Sequence, residues 1–253
     1  MGRNDRLREM SMGQSKRVAI VTGASRGLGK VITEVLAEQG TRLVINARDE
    51  AALADAAAAL TAAGSTVVMV AGDVADATVR ERLVDAAREL GGLDLLVNNA
   101  SSLGPIRPLM EFDVSRFSAI FEVNVAAPLA LIQLAAPLLA ERDGLVVNIT
   151  SDAAVGAYPG WGPYGSTKAA LELMSRTFGG ELADRGVSSV IVDPGDMRTA
   201  MHQEAFPGED ISDRPLPAVT APFWNWLFAQ KPADVHGQRF GAQAKDARWL
   251  QPA

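Results

Sequence analysis

The sequence predicts a doubly wound α/β fold, a mostly parallel seven-stranded sheet with helices on both faces, and three observations predict it. Short β-branched runs alternate with longer Ala- and Leu-rich runs, the pattern of βαβ units around a parallel sheet. The short runs are nearly continuous in Val, Ile and Leu, as strands covered on both faces require. The first of them leads directly into a glycine-rich turn that opens a helix.

In chain order, residues 1–15 are polar, charged and without period, which predicts a flexible N-terminal leader with Met10 and Met12 as alternative starts. Residues 16–253 then form the folded domain. Strands are expected at 17–22, 42–46, 66–71, 93–98, 144–150 and 187–192, with a weaker one at 238–241. Helices are expected at 28–39, 50–63, 77–90, 114–139 and 164–185. Gly40, Gly64, Gly91, Gly144 and Gly186 each follow a helical stretch, where a left-handed residue would end it. No linker or repeat interrupts this order, so a single domain is the economical reading. The pattern breaks after Pro194. Residues 196–236 carry Pro207, Pro215, Pro217, Pro222 and Pro232 around Trp224 and Trp226, and predict an irregular substrate loop or lid.

Composition narrows the chemistry. The chain has 253 residues and 26.7 kDa, enough for one large domain with a substantial core. It has no cysteine, which removes disulfides, thiolate nucleophiles and zinc–sulfur sites. His202 and His236 are the two histidines, too few for a multi-histidine metal centre, so no metal site is expected. A net charge of −6 disfavours binding to a phosphate backbone. Basic residues gather at the start, where Arg3, Arg6, Arg8, Lys16 and Arg17 stand against Asp5 and Glu9. The apolar run that follows, 18–21, is too short for a signal peptide, and 125–140, with Pro128, Gln133 and Pro137, is shorter than a bilayer span. These features predict a soluble, cytoplasmic protein that binds neither nucleic acid nor membrane.

The turn reads Thr22-Gly23-Ala24-Ser25-Arg26-Gly27-Leu28-Gly29. Glycines there let the backbone approach a pyrophosphate closely, while the helix N-terminus supplies amides, as in a Rossmann-type dinucleotide site. An ordinary strand-to-helix turn is one alternative. Another is a hydrolase, because Gly23-Ala24-Ser25-Arg26-Gly27 also fits a G-x-S-x-G nucleophile elbow; the extra Gly29 and the absence of an HGGG-type motif count against it. Ala47 falls about 18 residues after Gly29, where an acid would select NAD by pairing with the ribose 2′-hydroxyl. Here Arg48 follows, and Arg26 lies inside the turn, so a 2′-phosphate and hence NADP is favoured. The alternative is a solvated Arg48 with Asp49 on the ribose, and NAD as cofactor.

Tyr164 and Lys168 lie four apart at a helix start after Pro163, which places them on one face. A free tyrosine has a pKa of about 10 and is a poor base at neutral pH. An ammonium about 4 Å away is worth about 4 kcal/mol at an effective dielectric of about 20, roughly three pKa units, and would bring the phenol into working range. Ser151, at the end of the fifth strand, can bond the substrate oxygen that Tyr164 protonates. Asn124 sits in an otherwise apolar helical stretch and reads either as a satisfied core amide or as a relay holding water toward Lys168.

These motifs together resemble the short-chain dehydrogenase/reductase family over approximately residues 16–200. The resemblance rests on Thr22 to Gly29, Asp73-Val74 after the third strand, Asn98-Asn99-Ala100, Asn124, Ser151, Tyr164 to Lys168, and Pro194-Gly195 followed by Thr199. It implies hydride transfer between a nicotinamide cofactor and a carbonyl or alcohol carbon. Tyr164 would be the acid/base, Ser151 the substrate-oxygen anchor, Lys168 the ribose ligand and pKa modulator, and Asn124 the support of a proton relay. The cofactor would contact Gly23, Ser25, Arg26, Gly27, Leu28, Gly29, Arg48, Asp73, Val74, Asn99, Ala100, Tyr164, Lys168, Pro194, Gly195 and Thr199. Among these the resemblance implies Asp73 near the adenine, Asn99 near the ribose and Thr199 near the carboxamide. A homodimer or homotetramer through the helices at 114–139 and 164–185 is also implied.

Two departures stand out. Ser101 occupies the position that is usually glycine in the family's N-N-A-G, and Gly237-Gln238-Arg239-Phe240 poorly matches its glycine-rich C-terminus. Tyr158, Trp161, Met197, Met201 and Phe206 are candidates for an apolar substrate pocket. Besides an NADPH-dependent carbonyl reductase, a non-catalytic nucleotide-binding sensor or scaffold and a lyase or epimerase on the same fold fit the sequence.

Overall fold

The computed structural model describes residues 16–244; the expected leader at 1–15 lies outside them. Seven strands form one sheet: β1 (Val18–Thr22), β2 (Arg42–Ala47), β3 (Val67–Ala71), β4 (Leu95–Asn98), β5 (Leu145–Ile149), β6 (Ser188–Asp193) and β7 (Arg239–Gly241). Their order is β3-β2-β1-β4-β5-β6-β7 and every pairing is parallel, so the sheet is wholly rather than mostly parallel. After β3 the chain returns to the centre and lays β4 beside β1. The crevice at the carboxyl ends of these two strands is where such sheets bind ligands.

Strand alternation divides the core into two faces. Ala19, Val21, Leu43, Ile45, Val97, Val147 and Val192 pack with α1 (Gly27–Glu38) and α8 (Ala221–Ala229). Val18, Ile20, Val44, Leu96 and Val146 face the other way, toward α3 (Ala77–Glu89) and α5 (Ala127–Ala140). Two further helices, α2 (Glu50–Ala62) and α6 (Gly162–Leu182), complete the layers. Helix ends follow the expected glycines except at 144, where Asp143 takes the left-handed conformation instead (φ 48°).

The stretch expected as one helix over 114–139 changes winding. A 3₁₀ turn (Val114–Arg116) leads into α4 (Phe117–Phe121), a π turn (Glu122–Ala126) and then α5. Pro128 is the physical reason. It lacks the N–H that would bond the Asn124 carbonyl in an α-helix, and its ring crowds that carbonyl, so the winding opens there. Val114–Ala140 is long and apolar enough by length and composition to cross a bilayer, contrary to the shorter run read from sequence. Its Ala127, Leu131, Ile132, Ala135 and Leu139 are buried in the core beneath the sheet.

The segment at 196–236 is also more ordered than expected. It contains α7 (Ala200–Ala205), α8 and α9 (Pro232–Val235). Pro222 and Pro232 lie in first helical turns, where a missing N–H costs nothing, so residues read as breakers are starters. Phe223 and Trp224 are fully buried, and the Trp224 indole donates to Thr220 Oγ1 (2.9 Å). The second half of this segment therefore caps the sheet as core.

Candidate active site

The first turns of α6 carry Tyr164 and Lys168, both buried. Lys168 Nζ donates to the Ile149 carbonyl at the end of β5 (2.9 Å), which leaves its two other protons unspent among the described residues. Burial pulls its pKa down to about 8. Nζ lies 5.5 Å from the Tyr164 ring centroid. Burial holds the Tyr164 phenol well above its ordinary value, with a partial offset from the neighbouring Ser101 and Ser151 hydroxyls. The expectation that Lys168 brings the phenol into working range is not met in this structure. Desolvation dominates at both groups, and it pushes the two pKa values in opposite directions.

Ser151 lies two residues beyond β5. Its hydroxyl donates to Asp152 Oδ1 (3.0 Å) and accepts from the Ala153 amide (3.1 Å), which fixes its rotamer. Asp152 Oδ2 accepts from the Tyr158 hydroxyl (2.8 Å), so one carboxylate orients both side chains. Asn124 lies in the π turn with its side-chain amide fully bonded. Its Nδ2 donates to Ser102 O and Thr167 Oγ1 (both 2.9 Å), and its Oδ1 accepts from Ser101 Oγ (3.0 Å) and Ser102 N (2.7 Å). The amide ties the loop after β4 to α6. None of its bonds runs to Lys168.

The glycine turn follows β1. Gly23 has φ 66°, and a Cβ there would stand 2.8 Å from Asn99 Nδ2; at Gly29 a Cβ would stand 2.2 Å from the Gly23 carbonyl. Both positions therefore require glycine. Asn99 Nδ2 donates to the Thr22 and Gly23 carbonyls (2.8 and 3.1 Å), while Thr22 Oγ1 accepts from the Asn99 and Ala100 amides. Asn99 thus spends its donors on holding the turn against β4. Arg26 precedes α1 without a side-chain cap, whereas Asp49 and Asp76 cap α2 and α3. The first amides of α1 therefore have no side-chain acceptor.

A cavity of about 360 Å³ opens beside Tyr164 and Ser151. Tyr158, Trp161, Met197, Met201 and Phe206 line it, as do Pro194, Gly195 and Thr199 and the carboxylates of Asp152, Asp193 and Asp196. Thr199 Cγ2 would stand 3.6 Å from a Cβ at Gly27, so the cavity and the glycine turn adjoin. A model of the short chain dehydrogenase family matches residues 17–210. The chain belongs to this family.

As a short-chain dehydrogenase it has relatives along nearly its whole length. An uncharacterised oxidoreductase of Methylorubrum extorquens is 35% identical over 237 residues, covering 92% of this chain and 93% of its own. Among solved structures, a chain described as a short chain dehydrogenase of Escherichia coli, complexed with NADPH, superposes with a TM-score of 0.82 at 29% identity, covering 90% of this chain and 97% of that one. An alcohol dehydrogenase of the archaeon Thermococcus sibiricus, complexed with 5-hydroxy-NADP, gives a TM-score of 0.80 at 28% identity, covering 94% and 99%.

The remaining residues implied by the family pattern lie in the glycine turn or follow the carboxyl ends of β2, β3 and β6. Asp73 follows β3 and closes a turn on the Ala75 amide (2.9 Å), while Val74 is buried in the core. Arg26 and Arg48 are exposed, and Ser25 is half-buried. Thr199 caps α7 by accepting from the His202 amide (3.1 Å), and Gln243 Nε2 braces the Pro194 and Asp196 carbonyls (both 2.9 Å). The poorly matching C-terminus still builds β7. Arg239 pairs with Glu172 (3.0 Å) and Asp193 (3.3 Å), and Glu172 also accepts from Thr150 (2.9 Å). Sequence reasoning missed Asp152 and Glu172, whose acidic side chains stand beside Ser151 and within helix α6 without any motif to mark them.

Proposed function

We propose that this short-chain dehydrogenase transfers a hydride between NADP(H) and a neutral carbonyl or alcohol carbon, with Tyr164 as the acid/base. The observation that carries this reading is the convergence of Tyr164, Ser151 and Lys168 beside a cavity that adjoins the glycine turn. The residues present fit a dinucleotide. Gly23 and Gly29 leave no room for side chains where backbone must pack closely, Gly27 opens toward Thr199, and α1 presents amides without a side-chain cap. Two unspent protons of buried Lys168 suit ribose hydroxyls. The exposed guanidiniums of Arg26 and Arg48, neither with an ion-pair or hydrogen-bond partner among the described residues, suit a 2′-phosphate. Asp49 is engaged as the cap of α2, which disfavours the NAD alternative. NADP(H)-complexed relatives support the same choice.

When bound, the nicotinamide supplies or accepts the hydride. The chain's own residues handle the proton. In reduction, Tyr164 gives its phenolic proton to the carbonyl oxygen, and Ser151 holds that oxygen by turning its one hydroxyl proton from Asp152 to the substrate. Apolar walls and three carboxylates favour an uncharged substrate over a carboxylate, because the nearby Arg239 is already engaged by Glu172 and Asp193.

The test is a screen of ketones and alcohols with both cofactors, read by nicotinamide absorbance. Tyr164→Phe is expected to lower turnover by about 10²- to 10⁴-fold while leaving NADPH affinity within a factor of two or so. Absence of any net redox turnover that Tyr164→Phe abolishes would favour a lyase, an epimerase or a nucleotide sensor instead. We place the enzyme in the cytoplasm, without nucleic acid or membrane as partner, as a homodimer or homotetramer. Exposed Phe121, Leu134 and Leu173 on α4, α5 and α6 support the assembly, and light scattering at micromolar concentration tests it.

A further inference from the structure

β7 carries the C-terminal sequence that departs from the family's pattern, and Arg239 is the residue in it that reaches the active site. Its guanidinium serves three segments at once. Nε donates to Glu172 Oε1 in α6 (3.0 Å), while Nη2 donates to Asp193 Oδ2 at the end of β6 (3.3 Å) and to the Ser151 carbonyl beyond β5 (3.4 Å). Each contact leads to the cavity wall. Asp193 Oδ1 accepts from the Gly195 amide (3.0 Å), which closes the Pro194–Gly195 turn. Glu172 Oε1 also accepts from Thr150 Oγ1 (2.9 Å), the residue before Ser151. Thr150, Ser151, Asp193, Pro194 and Gly195 all line the cavity, and Arg239 itself does not.

We propose that Arg239 is a positioning residue for the reaction, one guanidinium that holds Ser151 and the Pro194–Gly195 turn in register and balances the Asp193 carboxylate at the cavity wall. The inference rests on the reading of Ser151 as the anchor of the substrate oxygen. Ser151 lies outside β5, and a misplacement of about 1 Å at such a group can cost about 10²-fold in rate. Thr150 is still held by its amide on the Val192 carbonyl (2.9 Å), and the guanidinium continues that tie by one residue. Charge is the second part of the role. Burial raises the pKa of the Asp193 carboxyl, and the Gly195 amide and Arg239 work against it. Without the guanidinium, a cavity already walled by Asp152 and Asp196 would carry a further uncompensated carboxylate and would favour cations more strongly.

The experiment compares the wild type with Arg239→Lys, Arg239→Met and Arg239→Met/Asp193→Asn, each assayed at saturating NADPH and pH 8, below its melting transition. The substrates are a neutral aryl ketone that the wild type reduces and its analogues bearing an ammonium or a carboxylate on the far side of the ring. Arg239→Met should lower kcat for the neutral ketone about tenfold. It should also raise the preference for the ammonium over the carboxylate analogue in kcat/KM about fivefold. Arg239→Lys should restore the preference but only part of kcat, since an ammonium keeps the charge without the planar fork. The double variant should return the preference toward that of the wild type with kcat still low. A purely structural role would move neither the preference nor its return. A second readout needs no turnover. In the cofactor-free protein, the Ala153 amide bonds Ser151 Oγ (3.1 Å) and the Gly195 amide bonds Asp193. Hydrogen exchange at both should quicken about tenfold in Arg239→Met, with the β1 amides unmoved. Unmoved exchange at both amides, or an undiminished kcat, overturns the positioning role, and an unmoved preference overturns the charge balance. A wild type without redox turnover, but with the exchange difference present, overturns the hydride-transfer reading and leaves the hold of Arg239 on these segments standing.

Discussion

At Tyr164, burial and use pull against each other. The phenol that must release a proton sits where desolvation favours keeping it, so at neutral pH it is stored in the donor form that carbonyl reduction needs. The residue types of this site are legible in the sequence, because Tyr164 and Lys168 at helical spacing, Ser151 after a strand and glycines in a turn each carry a local signal. Their partners are not. Asp152 reaches Tyr158 across six residues, Asn124 reaches Ser101 across twenty-three and Arg239 reaches Glu172 across sixty-seven. Spacing reports which face a side chain takes, and the pairing waits for the fold. The neighbours Arg48 and Asp49 show the difference at one strand end. Arg48→Ala is expected to weaken NADPH binding by about tenfold and NADH binding far less, as read by fluorescence titration. Asp49→Ala should instead cost about 1 kcal/mol of stability through loss of the α2 cap and leave NADH affinity where it was. A large NADH effect at Asp49 would return the ribose role to that residue.

At the scale of elements, β7 depends on a bond that no periodicity announces. Glu172 in α6 is buried, and it accepts from Thr150, Arg176 and Arg239. Burial alone would raise its pKa, but these hydrogen bonds outweigh it and hold the carboxyl below its ordinary value. Glu172 thus contributes stability that is present above the unfolded carboxylate pKa and is lost as pH falls through the lower folded one. Glu172→Ala should cost about 3 kcal/mol, because it leaves part of the Arg239 charge uncompensated. Amide exchange should show β7 opening first, and Glu172→Gln should lose part of the acid dependence seen in urea melts of the wild type. The same scale explains the other departures from expectation. Strands and amphipathic helices were legible because their apolar periods are local. The π turn at Asn124 and the helices of 200–235 were not, since proline marks both a break and a first turn, and burial decides which.

For the whole molecule, the opposed pKa shifts of Lys168 and Tyr164 become a pH dependence of folding. Lys168 titrates at about 8 when folded, against an ordinary value near 10.5. Between these values the unfolded chain binds the extra proton, so this group makes stability rise with pH across that window, by up to roughly 3 kcal/mol. Below pH 8 both states are protonated and the full cost of burying the charge is present. Tyr164 acts with the opposite sign. Its folded pKa is raised, so above about pH 10 the unfolded chain releases a proton that the folded one retains, and stability falls. Net negative charge also grows at high pH and loosens the fold, but it does so equally in a variant that differs only at one buried lysine. The difference between wild type and Lys168→Met, followed by urea melts of the cofactor-free protein, isolates the lysine. Lys168→Met should be the more stable protein at pH 7, and its advantage should shrink steadily from pH 8 to pH 10. An advantage that stays constant over that range would mean that Lys168 is not held under a desolvation penalty, and that this side chain is more solvated than its burial indicates.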